Sequence, residues 1–372
     1  MHRRSIFIAA TGQNVGKTTI CLGIIAGLKR RFRNVGFIKP VGQQHVEVEH
    51  DLKVDKDAVL FKEHFALTDN YKNISPVIIP SGFTREYLAG QIGHEKLRQN
   101  ILDAFEHIAG RNDFTVVEGT GHVGVGSIID LNNAKVAADL GVDMVLIASG
   151  GLGSTIDELA LNIEMCRQYG VNIRGVILNR VLDEKRAMIE EYIPKALAKF
   201  GIPLLGCIPF SRFLNTHSME DFELLFGAKL LAGDAYRYHH FRSTRLVAGS
   251  LESYLEDDTP SELIITPASR DDIIEAILKK FPVATAPDGH LQVGVLLTGR
   301  HHPSEETLQR IRQRDIPFLY VPMCSYDAMK KITSLISKIR RQDVRKVQKA
   351  IDIVESNIDF TRLCQYDAAP CA

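Results

Sequence analysis

An α/β fold is what this chain predicts: a parallel sheet with helices on both faces over residues 1–212, a smaller α/β domain over 213–345, and a C-terminal helix and tail over 346–372. Three observations carry the expectation. Short β-branched runs alternate with helical patterns along the first 210 residues. Those runs are apolar at nearly every position, as strands covered on both faces must be. Polar and glycine-rich punctuation falls where the runs end, and parallel sheets bind their ligands beyond the carboxyl ends of their strands.

Taken in order, strands are expected at Ser5–Ala10, Val35–Lys39, Phe114–Glu118, Asp143–Ser149, Gly175–Asn179 and Pro203–Pro209. Amphipathic helices fall between them at Thr18–Arg31, His94–Ala109, Thr155–Tyr169 and Lys185–Phe200. A second block opens near Phe213 with a helix over Met219–Leu231. Strand-like runs follow at Arg245–Ala248, Leu263–Thr266, Gln292–Thr298 and Pro317–Val321, with helices at Arg270–Phe281 and Ser304–Arg314. The stretch Tyr326–Ile358 reads as helical and basic, with Lys330, Lys331, Lys338, Arg340, Arg341, Arg345 and Lys346. A solvated helix face is the expected role of those charges.

Composition narrows the function classes. The 372 residues are 45% hydrophobic and 24% charged, with a formal net charge of zero. No global field draws the chain to nucleic acid or an anionic membrane, and neither is an expected partner. The apolar runs fall short of the roughly 20 residues that span a bilayer. The start, "MHRRSIFIAATG", lacks the length and cleavage site of a signal peptide and reads as a first strand. The six cysteines, at 21, 166, 207, 324, 364 and 371, show no CxxC spacing, so neither a zinc site nor a redox motif is indicated. A reducing, cytoplasmic compartment is expected.

The stretch "ATGQNVGKTTICLG", residues 10–23, carries the main functional signal. It turns an apolar strand into an amphipathic helix. A helix N-terminus presents unpaired N–H groups and the positive end of its dipole, which suits phosphate. Glycine lets backbone curl round an anion without Cβ clashes. Thr11, Gly12, Gln13, Asn14, Val15, Gly16, Lys17, Thr18 and Thr19 form the expected cradle. Lys17 reaches the β- and γ-phosphates in such a loop, and the Thr18 hydroxyl ligates Mg²⁺. The strict spacing asks for glycine where Thr11 stands, and Gly12 sits one place later. Motif and context together point to a P-loop NTPase-type sheet and a nucleotide ligand.

"ATGQNVGKTT…GFIKPVGQ" resembles the opening of dethiobiotin synthetases, whose loop reads "GTDTxVGKT" and whose second strand ends in "KPV". It resembles still more the N-terminal, dethiobiotin-synthetase-like domain of long-form phosphate acetyltransferases. Ala10 stands for the family's glycine, while Thr11, Val15, Gly16, Lys17 and Thr18 match. The family's acidic residue after the threonine is Gly12 here. The resemblance implies that Lys39 stabilises transferring charge, as Lys17 does; a solvated cap is the other role for a lysine at a strand end. It implies that Asp57, in "KDAVLF", and Glu118, in "TVVEGTG", hold Mg²⁺ with Thr18. Asp55 competes with Asp57, and an N-cap is the other role for such an aspartate. Asn179, in "GVILNRV", matches an adenine-reading asparagine; a turn residue is the alternative. No aspartate follows to read guanine, so ATP is expected over GTP. Gln13 and Asn14 leave no extra lysine early in the loop, so the sandwich dimer of partition-type ATPases is not implied.

The acceptor half departs from the synthetases. Gly42 and Gln43 replace the substrate-contacting serine, and Val46–Val54 is acidic and contains histidine. The second block resembles the domain named for its "DR" and "TGG" motifs. Arg270 and Asp272 match, with Ser269 in place of aspartate; Thr298 and Gly299 match, with Arg300 in place of the last glycine. Arg300, His301 and His302 suggest either an anion pocket for a regulatory phosphate ligand or an exposed charged loop. Such domains pair, so a homodimer is expected. The resemblance runs to about residue 345, and an acetyltransferase module would need roughly 300 further residues, so transacetylation is not expected. The expected function is Mg²⁺–ATP binding with hydrolysis or ligase-type phosphoryl transfer to an unidentified small-molecule acceptor. The alternative is a non-catalytic module answering to a nucleotide or metabolite effector.

Overall fold

In the computed structural model, which describes residues 4–48, 51–256, 261–282 and 292–365, two units are distinguished. Unit one comprises Met1–Ser211 and Ile339–Ala372; unit two is Arg212–Lys338. The strands of the first are β1 (Arg4–Ala10), β2 (Val35–Ile38), β3 (Val41–Gly42), β4 (His45–Val48), β5 (Leu52–Asp55), β6 (Val77–Ile78), β7 (Phe114–His122), β8 (Asp143–Ser149), β9 (Ile173–Val181) and β10 (Leu204–Pro209). Those of the second are β11 (Leu230–Ala232), β12 (Ser243–Leu246), β13 (Glu262–Pro267), β14 (Val293–Thr298) and β15 (Phe318–Val321).

Six strands of unit one form a sheet in the order β10-β9-β8-β1-β7-β2, every pairing parallel. Six consecutive residues of β1 are buried, Ser5 to Ala10, which explains why its sequence is apolar without alternation. The register sets up the site. Ile38 of β2 lies opposite Val117 of β7, so the next residues, Lys39 and Glu118, emerge side by side. Ile8 of β1 lies opposite Glu118, and Ser149 of β8 lies opposite Asn179 of β9. Two small ladders, β3 with β6 and β4 with β5, sit beyond the end of β2. The β4–β5 hairpin was not expected from sequence; it turns near Asp51, whose φ is 58°.

Helix α1 (Lys17–Lys29) is buried almost all round, with Ile20, Cys21, Leu22, Gly23, Ile24, Ile25, Gly27 and Leu28 shut off from water. A helix apolar on every side needs cover on every side. One cover is the sheet. The other is the chain's own C-terminal part, which returns to unit one. A Cβ on Gly23 would stand 2.4 Å from Val354 Cβ, and one on Gly27 would stand 2.1 Å from Phe360 Cζ, so both glycines permit contact at backbone range. Arg30 pairs with Glu355 at 3.0 Å, and Arg31 lies over the Phe360 ring at 4.2 Å. The segment also meets the sheet edge: Asp359 N donates to Leu205 O at 2.8 Å, and Gly206 bridges Ile358.

The C-terminal region therefore differs from the expected solvated, continuous helix. It forms Ser325–Thr333 in unit two and Val344–Glu355 in unit one, with residues 334–343 outside any helix. Lys346 is wholly buried, and Arg341 pairs with Glu63.

Unit two is a five-stranded sheet in the order β11-β15-β14-β13-β12, parallel except for β11 against β15. The expected helix Met219–Leu231 ends earlier, at Phe226. Gly227 terminates it in the left-handed region, and Leu230–Ala232 becomes the edge strand β11. The five cysteines among the described residues are free thiols, with Cys21, Cys166 and Cys207 buried; Cys371 lies outside the described residues.

Candidate functional site

The loop between β1 and α1 closes on the crevice where the chain's connections diverge, toward β2 on one side and later toward β8 on the other. Asn14 and Gly16 both take positive φ, 58° and 104°. Gly16 is the helix N-cap, and no side chain caps α1. The first helical bond runs from Ile20 N to Gly16 O, so the N–H groups before it point outward as an anion cradle. Gly16 admits no side chain, since a Cβ there would stand 2.2 Å from Asn179 Nδ2.

The end of β2, the middle of β7 and the first turn of the helix after β5 supply the charges. Lys39, beyond β2, is buried, and its ammonium contacts Asp57 in the first turn of Lys56–His64. It also stands 3.5 Å from Asp55 Oδ1 and 3.6 Å from Glu118 Oε1. Asp55 is the N-cap of that helix, accepting from Asp57 N at 3.0 Å, which leaves Asp57 as the carboxylate offered to the cleft. The Thr18 hydroxyl donates to Glu118 Oε1 at 3.3 Å. Glu118 Oε2 is buried without a partner. Lys17 donates to the Gly121 carbonyl at 2.6 Å.

Burial dominates the electrostatics. It pushes the Glu118 carboxyl up to about 7, with Asp57 and Asp55 adding to the rise and Lys39 and Lys17 opposing it. It raises Asp55 as well. It lowers Lys17, against the pull of Glu118. Burial also works against a charge on Lys39, but Asp57, Glu118 and Asp55 together hold that ammonium well above its usual value.

Thr18 and Asp57 thus lie around Glu118 and Lys39, with Lys17 held on the Gly121 carbonyl. Among the described residues no three His, Cys, Asp or Glu side chains assemble a metal cage. The set present, a hydroxyl and two carboxylates with one buried oxygen unsatisfied, fits Mg²⁺, which takes few protein oxygens and fills its shell from phosphate and water.

The loop's remaining residues divide into supports and open positions. Thr11 is buried and donates to Glu158 Oε2 at 3.0 Å; Asn162 donates to Thr11 O at 3.3 Å. These two partners, some 147 and 151 positions downstream, left no signal in local spacing. Gln13 and Asn14 are exposed, while Gly12 and Thr19 are half-buried. Asn179 lies beneath the loop. Its Nδ2 donates to Val15 O at 2.7 Å and its Oδ1 accepts from Arg180 N at 2.9 Å.

Residues 4–218 match the AAA domain family, and residues 225–335 match the DRTGG domain. An ATP-dependent dethiobiotin synthetase of Brachyspira hyodysenteriae is 31% identical over 217 residues, 55% of this chain and 91% of that protein. The chain belongs to the dethiobiotin-synthetase-like P-loop family. It joins that domain to a DRTGG domain, the arrangement that also relates it to phosphate acetyltransferases. One of these, from Pseudomonas putida, is 30% identical over 384 residues, 99% of this chain and 52% of that protein. The chain spans about half the length of the phosphate acetyltransferases it matches. A ParA family ATPase from Chlorobium tepidum aligns with a TM-score of 0.35 at 16% identity, covering 57% of this chain and 87% of that one.

In the DRTGG domain the two motifs end neighbouring strands, with Pro267 of β13 opposite Thr298 of β14. Arg270 grips Asp272 through bonds of 2.8 and 2.7 Å and donates to Gly249 O at 2.9 Å, so its guanidinium is committed within the protein. Gly299 takes a φ of 120°, and Arg300, His301 and His302 are exposed, with His302 edge-on to Tyr320. Among the described residues no helix is long and apolar enough to cross a membrane.

Proposed function

We propose that the protein binds Mg²⁺–ATP at the β1–α1 loop and uses it for hydrolysis or for ligase-type phosphoryl transfer to a small-molecule acceptor. The observation that carries this reading is the convergence of Lys39, Asp57, Glu118 and Thr18 at the mouth of an uncapped helix N-terminus. The loop N–H groups receive the phosphates and Lys17 neutralises charge on them. Lys39 stands where charge develops on the transferring group. Thr18, Asp57 and Glu118 would hold the magnesium, which would supply Lewis-acid stabilisation of the phosphate oxygens. Residues 42–48 and 51–55 take the place of the acceptor site, and the absence of the family's serine there speaks for a different acceptor.

The test is phosphate release from ATP–Mg²⁺ by purified protein, repeated with Lys39→Ala. Turnover that falls by a factor of about 100 or more in the variant supports the enzyme. Tight binding with no turnover supports a second reading, a nucleotide-responsive regulatory module, which the lost serine and the fused DRTGG domain favour. We place the protein in the cytoplasm as a homodimer, with an effector site in the DRTGG domain.

A further inference from the structure

We propose that Lys39 is a built-in counter-cation: without nucleotide, its ammonium holds the place where a divalent cation would balance Asp57 and Glu118, so the metal enters with the triphosphate and not ahead of it. This rests on the reading above and adds an order of binding to it. The ammonium touches Asp57 and stands 3.6 Å from Glu118 Oε1, which are two of the three groups offered to the metal. The third, the Thr18 hydroxyl, is bonded to that same Glu118 oxygen at 3.3 Å.

Glu118 is 1% exposed, yet its Oε2 has no partner. A buried carboxylate oxygen left unsatisfied is costly, and it marks the cluster as one completed by a further ligand. An ammonium and a dication repel in a water-poor pocket, so the ammonium must withdraw before the metal settles. A polyphosphate gives it somewhere to go. The backbone need not follow, because Lys39 N stays bonded to Ile74 O at 2.8 Å while the four-carbon stem swings.

The experiment is thermal unfolding with Mg²⁺ alone, in wild type and in Lys39→Met, which keeps the stem and loses the charge. Wild type should shift by less than about 1 °C at millimolar Mg²⁺, and Lys39→Met should gain roughly 3 °C or more. Adding Asp57→Asn to Lys39→Met should remove most of that gain. Equal shifts in wild type and Lys39→Met, or no shift in either, overturn the proposal. Should Lys39→Met not fold, retention of Mn²⁺ by wild type decides. Mn²⁺ held without nucleotide contradicts the idea, and Mn²⁺ held only beside a non-hydrolysable ATP analogue supports it. If wild type binds no triphosphate, the functional reading falls while the Lys39→Met comparison still reports on the counter-cation.

Discussion

Lys39 Nζ stands 3.6 Å from Glu118 Oε1, with side chains only 6% and 1% exposed. The pair follows from one register, Ile38 against Val117, which sets Lys39, just past β2, beside Glu118 within β7. Burying such a pair without a functional reason is a poor route to stability, because desolvation offsets most of the Coulomb gain. Its position beside the phosphate loop supplies the reason.

That burial predicts a pH signature. The Glu118 carboxyl is raised from 4.5 to about 7 in the folded protein. The folded state holds this proton more tightly than the unfolded chain. The resulting stabilisation is complete below the unfolded value of about 4.5 and is lost as pH rises through about 7. Asp55 shifts in the same direction. Denaturant unfolding of the nucleotide-free protein between about pH 5 and pH 8 should therefore show stability falling with pH. Glu118→Gln should flatten that slope and be the more stable protein at the alkaline end. An unchanged slope in Glu118→Gln would remove the carboxyl as its source.

Asn179 predicts a test between two roles. Its side chain already bonds to Val15 O and Arg180 N, which makes it a brace for the loop. Asn179→Ala leaves a buried carbonyl unsatisfied, a loss of about 1–3 kcal/mol. Affinity for ATP and GTP should then fall by similar factors. A fall confined to ATP, seen in competition binding, would make Asn179 an adenine reader instead. Gly16→Ala should abolish binding of both, because the new methyl meets Asn179 and the φ of 104° strains any side chain.

Gly27 tests the C-terminal cover on α1. Alanine in a helix interior ordinarily gains about 1 kcal/mol over glycine. Here the added carbon would lie 2.1 Å from Phe360 Cζ, so Gly27→Ala should destabilise by about 1–3 kcal/mol instead. Hydrogen exchange should rise across residues 344–364. Phe360→Leu in the same chain should restore part of the loss.

Much of this architecture was legible in the sequence. The six sheet strands read directly because β1 and its neighbours are apolar on both faces. Lys39, Asp57 and Glu118 were named through the resemblance of "IKPVGQ", "KDAVLF" and "TVVEGTG" to the dethiobiotin synthetases, and not from spacing alone. What was missed depends on contacts between distant segments. The β4–β5 hairpin has an alternating pattern in "HVEV", but its acidic residues and histidines drew the eye to charge rather than to strand periodicity. The strand Leu230–Ala232 continues the helical periodicity of the residues before it, and only Gly227 marks the break. The return of the C-terminal segment to α1 has one sequence trace, the glycine pair at 23 and 27, which only makes sense once Val354 and Phe360 are seen against it. Glu158 reaches Thr11 from a helix whose sequence carries no sign of it.

A triphosphate with its magnesium should dock where β1 passes into α1. Isothermal calorimetry of ATP with Mg²⁺ against wild type and Lys17→Ala tests it most directly. One site per chain is expected in wild type, with a loss of at least about tenfold in affinity for Lys17→Ala, roughly 1.4 kcal/mol. No heat of binding in wild type, or equal affinity in the two proteins, would contradict it.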